Sequence, residues 1–396
     1  MRIIRDFVIR QKYKIILSVI ISIVICFACY LMNNCPYPYW DSLDRYCWME
    51  YIISNTLDEK FDRSDVFFIN VSYDRDVVEY TYSNGTLKGT IDITNRKKLY
   101  EFLKIMEKTN VYKYLYLDIR FEKGIESPYD SALFTQIAKM RDISYASHSD
   151  LEKNDKAIPQ KASVNDYFTT ITSTNFTRYQ FLQNGYISAP LRIFLSVDSV
   201  NNKPIINYGP FFFSGGKLCQ NSPFMRIPED FFKNHNYKGQ QNYYDLGPVL
   251  LEMNEEEDWI FDTKDKIVIV GDFVNDLHDT YSGLQPGSYL VYLAYKELAE
   301  GKHLVSWLFV FFMFIVYVTM SLFVLNRKSL WSCLPFLKSL KNKFVLFVLD
   351  TIGYSAVLVL LSIVLYMCFK TTYNIFFPAV FFSIITTIIS YNHKTT

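Results

Sequence analysis

The chain of 396 residues lacks a surplus of either charge. Its 41 lysines and arginines are balanced by 40 aspartates and glutamates, which gives a formal net charge of +1. A nucleic-acid-binding protein normally carries a clear basic surplus, so we expect no nucleic-acid partner. Charged residues of either sign are also scarce, at 20% of the chain against roughly 25% in soluble domains. Long apolar blocks account for the difference, and they indicate a membrane protein.

The sequence also lacks the signatures of common catalytic sites. It contains no G-x-S-x-G nucleophile turn, no H-E-x-x-H zinc motif and no Walker-type phosphate loop. Only five histidines are present, and they are scattered without the spacing of a metal site. We therefore expect a protein that is not an enzyme and that holds no metal and no cofactor.

Four apolar blocks define the membrane segments. The first, residues 15–32, contains no charged side chain, and at about 1.5 Å per residue it covers about 27 Å, close to the thickness of a hydrocarbon core. Three more blocks lie at 304–325, 344–369 and 373–391. The sequence therefore predicts four transmembrane α-helices, one before and three after a large domain at 33–303.

A cleavable signal peptide is the alternative to a first membrane helix. The apolar core is longer than a usual signal peptide, and no A-x-A cleavage site follows it. Ala28-Cys29 is similar to a lipoprotein cleavage site, but Cys26 stands where such sites have an aliphatic residue. We expect an uncleaved anchor.

The distribution of lysine and arginine predicts the orientation. Residues 1–14 carry five basic side chains and one acid, and the loop at 326–343 carries five more basic side chains. By the positive-inside rule, both segments face the cytoplasm. Residues 33–303 hold 29 basic against 38 acidic residues, a net charge of −9. This domain is expected outside the cytoplasmic (inner) membrane, with both termini in the cytoplasm.

Strand-like and helix-like runs alternate in the large domain, as in a βαβ sheet. Strands are expected at 66–71, 114–119, 143–148 and 266–271, and helices at 93–109, 127–140 and 287–299. The region 160–262 is expected to be irregular or antiparallel, with turns at Asn184-Gly185, Asn201-Asn202 and Gly215-Gly216. The predicted fold class is an α/β extracytoplasmic domain with a mixed, largely parallel sheet flanked by helices.

Two stretches of this domain resemble the second class of CHASE domains, the extracellular sensory domains associated with cyclases and histidine kinases. Residues 264–304 run from a K-I-V-I-V-G strand through an acidic loop into a helix, with Asp279-Thr280 and Pro286-Gly287 at the family's matching places. Upstream, 116–121 followed by 127–130 is similar to the family's F-D-I-x-F…D-x-x-L segment. One span before the domain and three after it is also the family's usual layout. The resemblance implies a sensory domain.

The sequence departs from the family at two places. Tyr281 replaces a proline, and residues 288–292 replace a V-E-I-H run, so the ligand chemistry of the family's acid and histidine is not carried over. Family members usually continue past the last span into a kinase or cyclase. Residues 391–396 are too short for such a domain, and we expect a signal to pass through a separate cytoplasmic effector.

Acidic side chains and one histidine follow the strongest predicted strand. Asp272, Asp276, His278 and Asp279 lie where open α/β sheets bind ligands, beyond the carboxyl end of a strand. Asp118 follows another strand and would point into the same crevice of a doubly wound sheet. Together they predict a pocket for a small ligand. The alternative is a solvated loop whose acids cap turns and the following helix.

Two further features are candidates outside this loop. Cys35 and Cys47 fall in the predicted outer domain, where oxidation is possible, and they are a candidate disulfide. Asp350 is the only acid in the membrane blocks, and a buried charge there is costly and often functional. It is a candidate for coupling across the membrane, or else an acid near the surface paired with a lysine.

The leading hypothesis is a membrane-bound sensor that detects an extracytoplasmic cue and signals through a separate partner. Its partners would be the lipid bilayer, a small ligand or envelope protein outside, and the effector inside; a homodimer is the default expectation for such sensors. The alternative is an envelope assembly or scaffold subunit whose outer domain binds another protein. A transporter is disfavoured by the lack of an inverted repeat, and a surface hydrolase by the lack of catalytic motifs.

Overall fold

The structure is a computed structural model. It describes residues 2–34, 62–81, 86–121, 125–147, 161–163, 176, 178–183, 186–223, 225–228, 242–255, 263–280, 282–326, 343–369, 371 and 376–392. The chain divides into two compact units. A helical unit comprises Met1–Asp58, Ile206–Pro223 and Lys302–Thr396, and an α/β unit comprises Glu59–Ile205 and Phe224–Gly301. Residues 206–223, predicted as part of the large domain, therefore belong with the helices.

Within the described residues, the α/β unit is built on a six-stranded sheet in the order β12-β1-β13-β4-β5-β6. Every pairing between neighbouring strands is parallel. The strands are β1 (Val66–Asn70), β4 (Tyr114–Asp118), β5 (Ile143–Ser147), β6 (Lys161–Ser163), β12 (Tyr243–Asp245) and β13 (Ile267–Gly271). The central strand β13 is buried along its whole length, as expected for a strand covered on both faces. The predicted α/β class with a parallel sheet is confirmed.

Helices cover both faces of this sheet. On one face, α2 (Arg96–Thr109), α3 (Asp130–Lys139) and α5 (Leu246–Glu255) pack on side chains such as Phe67 and Val270. Successive strand residues point to opposite faces, so Phe68 faces the other layer, where its ring contacts Tyr289 and Tyr292 of α6 (Gly287–Ala299). Helix α4 (Ala189–Val197) packs beside α6 in that layer.

Three short hairpins accompany the sheet in the part of the chain that the structure describes. They are β2 (Arg75–Thr81) with β3 (Leu87–Thr94), β7 (Leu182–Gln183) with β8 (Tyr186–Ile187), and β14 (Leu277–Thr280) with β15 (Gly283–Pro286). The predicted helix start at Ile93 is wrong, because Ile93 pairs with Asp76 in the first hairpin. Helix α2 begins only at Arg96, after the side chain of Asn95 caps it by accepting a hydrogen bond from the Lys98 amide.

Among the described residues of the helical unit, three helices are long and apolar enough to cross a membrane, which supports the prediction of a multi-pass membrane protein. These spans are Lys12–Asn34 within α1 (Arg2–Asn34), α7 (Trp307–Leu325), and Thr351–Phe369 within α8 (Lys343–Phe369). A fourth helix, α9 (Phe376–Asn392), is apolar but shorter. The exposed side chains of these helices are largely apolar, as in Ile20, Ile23, Phe311, Leu360 and Ile388. Such a surface suits a lipid environment.

Polar contacts inside the helical unit join its helices to one another. Lys14 on α1 donates a hydrogen bond to Asn326, which caps the end of α7. Tyr354 on α8 and Thr386 on α9 share a hydrogen bond of 3.1 Å, and the ring of Phe382 contacts that of Tyr354. Helix α9 thus packs as part of the bundle.

Candidate functional site

The carboxyl ends of four neighbouring strands form the edge of the sheet that carries the candidate site. The strand register aligns Asp245, Asn70, Gly271 and Asp118 across β12, β1, β13 and β4. Because these strands are parallel, their carboxyl ends meet at one edge, which is the usual ligand-binding edge of an open α/β sheet. Polar side chains gather there in two groups, one beside Asn70 and one beside Asp118.

Asp272 belongs to the group beside Asn70, where it fixes the turn after β13. Its carboxylate pairs with Arg75, accepts a hydrogen bond from the Ser72 hydroxyl, and accepts the Asn275 backbone N–H at 2.8 Å. Burial raises the pKa of Asp272, but these hydrogen bonds outweigh burial and hold the pKa below its usual value. This acid is thus held in an ionised state within a structural network.

Asp118, Asp276, His278 and Ser288 make up the second group, here named the Asp118 cluster. The Ser288 hydroxyl donates to one carboxylate oxygen of Asp118 at 2.9 Å, and the Tyr116 hydroxyl donates to the other at 3.2 Å. The His278 Nε2 atom lies 3.3 Å from a carboxylate oxygen of Asp276. The side chains of His278 and Asp276 are 20% and 48% exposed, and Asp118 is half-buried. The cluster is therefore enclosed but reachable from solvent.

The electrostatics of the cluster are unbalanced toward negative charge. Burial, followed by the negative charge of Asp276, raises the pKa of Asp118 to about 6, although hydrogen bonds from Ser288 and Tyr116 and the charge of His278 act against this rise. For His278, burial lowers the pKa, but the hydrogen bond and charge of Asp276 and the charge of Asp118 outweigh burial and raise it. Perturbed groups of this kind are typical of functional sites.

Two glycines allow the cluster to assemble. A Cβ atom at Gly271 would overlap the Ser288 hydroxyl and would lie 3.2 Å from the Asp118 Cβ. A Cβ atom at Gly287 would lie 2.5 Å from a carboxylate oxygen of Asp276 and 2.8 Å from the His278 Nε2. Real Cβ atoms do not pack this closely, so only glycine at these two positions permits the observed approach.

The β14–β15 hairpin decides which loop residues face the cluster. His278 stands directly opposite Gln285, and Asp279 opposite Leu284. Because neighbouring residues of a strand point to opposite faces, Asp279 points away from the face that carries His278. Asp279 is exposed, and its backbone oxygen accepts the Phe176 amide. The prediction that Asp279 joins the other loop residues at one pocket is therefore not matched by its placement.

Gln285 is the most enclosed polar side chain beside the cluster. It is 1% exposed, and within the described part of the chain neither its amide oxygen nor its amide nitrogen has a hydrogen-bond partner. Cross-strand partners on one face lie about 5 Å apart at their Cβ atoms, which places this amide next to His278. The ring of Phe176 lies 6.1 Å from the His278 ring and adds an apolar wall.

Three of the assembled residues were predicted from the sequence, and the others were not. Asp118, Asp276 and His278 come together as predicted for residues at strand ends, whereas Asp272 is tied to the neighbouring network. Ser288, Tyr116 and Gln285 were missed, and so were the two glycines. The Pro-Gly pair that opens α6 was a usable signal for Ser288, since it marks the start of a helix next to a strand end.

The remaining predicted side chains lie outside the part of the chain that the structure describes. Cys35 and Cys47 lie outside the described residues. Asp350 lies within α8, but its side chain is outside the described part of the structure. Among the described residues, no group of three or more histidine, cysteine, aspartate or glutamate side chains is placed to hold a metal ion.

Comparison with known proteins found no match among protein-family models, curated proteins or solved structures. The resemblance to CHASE domains stays a prediction.

Proposed function

We propose that this protein is a membrane-bound sensor whose α/β unit binds a small ligand at the Asp118 cluster, outside the cytoplasmic membrane. One observation carries the proposal. Polar side chains from separate parts of the chain, Asp118, Asp276, His278 and Ser288, converge at the carboxyl edge of a parallel sheet and remain reachable from solvent. Ligand binding there would bias the packing of the helices and so reach a cytoplasmic effector.

The chemistry of the cluster favours a ligand with a protonated amine. Two carboxylates, Asp118 and Asp276, face a single imidazole, so when both carboxylates are ionised the cluster is negative in either protonation state of His278. An ammonium group donates three hydrogen bonds and accepts none, which matches two carboxylates and the amide oxygen of Gln285. Hydrogen bonds between charged partners are the stronger kind. The Phe176 ring would contact the apolar part of such a ligand.

Calorimetric titration of the purified full-length protein in lipid nanodiscs would test this proposal. The panel would contain small primary amines, with alcohols and carboxylic acids of the same carbon skeleton for comparison. We expect an amine to bind, and Asp118→Asn to weaken binding about ten-fold or more, since a charge-assisted hydrogen bond is lost. Asp279→Asn is the matched control, because it removes an exposed acid from the same hairpin, and it should change affinity less than two-fold.

Each outcome of this titration has a clear meaning. Preferential binding of the carboxylic acids, with loss in Asp118→Asn, would keep the site and reject the amine. Binding that is equal in wild type and Asp118→Asn would reject the site. The sensor step needs a second measurement, which is co-purification of cytoplasmic proteins with and without the bound amine; a set of partners unchanged by the amine would count against signalling.

An envelope assembly or scaffold subunit is the second candidate function. The β2–β3 hairpin favours it, because apolar side chains are exposed on both of its faces, Val77 on the face that carries Asp92 and Ile91 on the face that carries Val78. Exposed apolar side chains are one feature of protein-binding surfaces. Crosslinking in cells from the position of Val77 separates the two functions: capture of an envelope protein that does not depend on any small ligand supports the scaffold.

A further inference from the structure

A small β-sheet belongs, apart from its first residue, to the helical unit. It consists of β9 (Ile205–Tyr208), β10 (Phe211–Ser214) and β11 (Lys217–Cys219) in the order β11-β10-β9. The predicted turn at Gly215-Gly216 connects β10 to β11, and both glycines adopt positive φ angles. Leu218 is buried in the apolar core shared by the membrane helices, and Phe213 packs against the same core. We refer to these three strands as the membrane-side sheet.

Hydrogen bonds attach the membrane-side sheet to α1 and to the segment before α7. The Tyr30 hydroxyl accepts the Phe212 amide and donates to the Cys219 carbonyl, both at 2.9 Å. Phe212 and Cys219 are cross-strand partners, so one hydroxyl joins β10 to β11. The Leu218 carbonyl accepts the Val305 amide at 2.8 Å. The sheet is therefore fixed to the ends of two membrane-spanning helices.

The position of Phe211 along α1 sets the depth of this sheet. Its ring lies 5.7 Å from that of Phe27 and 5.6 Å from that of Tyr30. These residues precede the end of α1 at Asn34 by about 10 Å and 6 Å along the helix axis. The spanning segment from Lys12 to Asn34 has 23 residues, or about 34 Å, which matches a hydrocarbon core of about 30 Å with short margins. An α1 that spans the bilayer therefore places Phe211 at the depth of the apolar layer.

The exposed face of the sheet continues the lipid-facing surface of α1. Phe211 is 37% exposed and Tyr208 64%, and Ile206 on the same strand as Tyr208 is also exposed. Phe27, which touches Phe211, is itself exposed among the apolar side chains of α1. Trp307, exposed at the start of α7, is typical of the aromatic belt at a membrane surface.

We propose that the membrane-side sheet is embedded in the lipid interface, with Phe211 in the acyl region and Tyr208 at the headgroups. Backbone groups in an apolar layer must be paired, since each unpaired group costs several kcal/mol. The Tyr30 hydroxyl supplies a partner to the Phe212 amide and to the Cys219 carbonyl. Strand β9 lies at the end of the sheet order, and its outer edge suits the hydrated headgroup layer. The partner of this surface is the bilayer.

Photocrosslinking of the full-length protein in native membranes would test the proposal. The photoreactive residue p-benzoylphenylalanine would replace Phe211 in one variant and Tyr208 in another. The control replaces Tyr186, an exposed aromatic residue of the α/β unit. After irradiation, intact-protein mass spectrometry would count lipid adducts. We expect at least ten times more adducts at the positions of Phe211 and Tyr208 than at that of Tyr186.

The opposite results would overturn the proposal. Crosslinks from Phe211 and Tyr208 to a protein, or to a second copy of the chain, would make this surface a protein interface. Adduct yields equal to that of the Tyr186 control would mean that the sheet lies in water. If the Phe211 variant fails to fold, the Tyr208 variant still tests the proposal, because Tyr208 is more exposed and the replacement adds bulk only at its tip.

Discussion

At the scale of single residues, the main feature is a carboxylate whose charge is poorly compensated. Asp118 accepts two hydrogen bonds, yet burial and its neighbour Asp276 raise its pKa to about 6. His278 is shifted in the same direction because its carboxylate neighbours outweigh burial. The protein thus tolerates a destabilised charge at one edge of its sheet, which is a cost that functional sites commonly carry.

The raised pKa of Asp118 predicts how stability depends on pH. An unfolded aspartate titrates near pH 4, so between about pH 4 and pH 6 the folded protein holds a proton that the unfolded chain has lost. The stabilisation from protonated Asp118 is full below about pH 4 and is lost as the pH rises through about 6. The contribution of His278 to stability depends on pH with the same sign, but at higher pH. Its protonated form stabilises the folded protein fully below about pH 6.5, and this stabilisation is lost as the pH rises above the folded pKa of His278.

Asp118→Asn stays neutral at every pH and should therefore gain stability relative to wild type as the pH rises from 4 to 7. Thermal unfolding of the full-length protein in detergent, followed at several pH values, measures this difference. Asp279→Asn removes an exposed acid, and its unfolding temperature should change with pH in parallel with that of wild type. Parallel curves for Asp118→Asn as well would show that Asp118 is an ordinary surface carboxylate.

Gly271→Ala tests the packing that brings Ser288 to Asp118. The added methyl group would displace the Ser288 hydroxyl, with a cost of about 1–3 kcal/mol typical of overpacking. Ser288→Ala removes the same hydrogen bond without adding bulk and should cost less, about 1 kcal/mol. In the double variant Gly271→Ala/Ser288→Ala, the hydroxyl that the added methyl group would displace is absent. We therefore expect the double variant to lose less stability than the sum of the two single losses. Strictly additive losses by denaturant unfolding would contradict this account.

At the scale of elements, the correctly predicted ones are those with dense apolar runs. β13 consists of branched apolar residues and a glycine, and α6 occupies the range predicted for it, Gly287–Ala299. The hairpins β2–β3 and β14–β15 were missed, because their strands carry charged residues and show no clean alternation. Missing the β14–β15 hairpin also affects the prediction of the candidate site. Without the hairpin, the sequence offers no reason to separate Asp279 from His278.

Tyr30→Phe tests the attachment of the membrane-side sheet. The substitution removes one hydroxyl that serves both the Phe212 amide and the Cys219 carbonyl. Leaving buried backbone groups unpaired costs about 1–3 kcal/mol, so the Phe212 amide should exchange with deuterium about ten-fold faster or more. Tyr13→Phe, on an exposed residue toward the other end of α1, should leave exchange unchanged. Equal exchange in both variants would show that the strand pairing alone holds the sheet.

At the scale of the whole molecule, the chain passes between its two units four times, because Ile206–Pro223 lies within the helical unit while the segments before and after it lie in the α/β unit. A sequence prediction based on apolar blocks assigned that segment to the outer domain, since its strands are short and only partly apolar. Its place follows from contacts with Tyr30 and Val305. Such long-range contacts leave no periodic signal in the sequence.

The number of membrane crossings determines on which side of the membrane the residues after α9 lie. Helix α9 has 17 residues, which cover about 26 Å, slightly less than a typical hydrocarbon core of about 30 Å. Its contacts with α8 and the charge distribution favour a fourth crossing.

We therefore expect Thr396→Cys to resist a membrane-impermeant maleimide in intact cells, while Val200→Cys, on an exposed turn of the α/β unit, is labelled. The wild-type chain provides the background of native cysteines. Labelling of both variants would place α9 on the outer surface and leave three crossings; labelling of Thr396→Cys alone would reverse the orientation and put the Asp118 cluster in the cytoplasm.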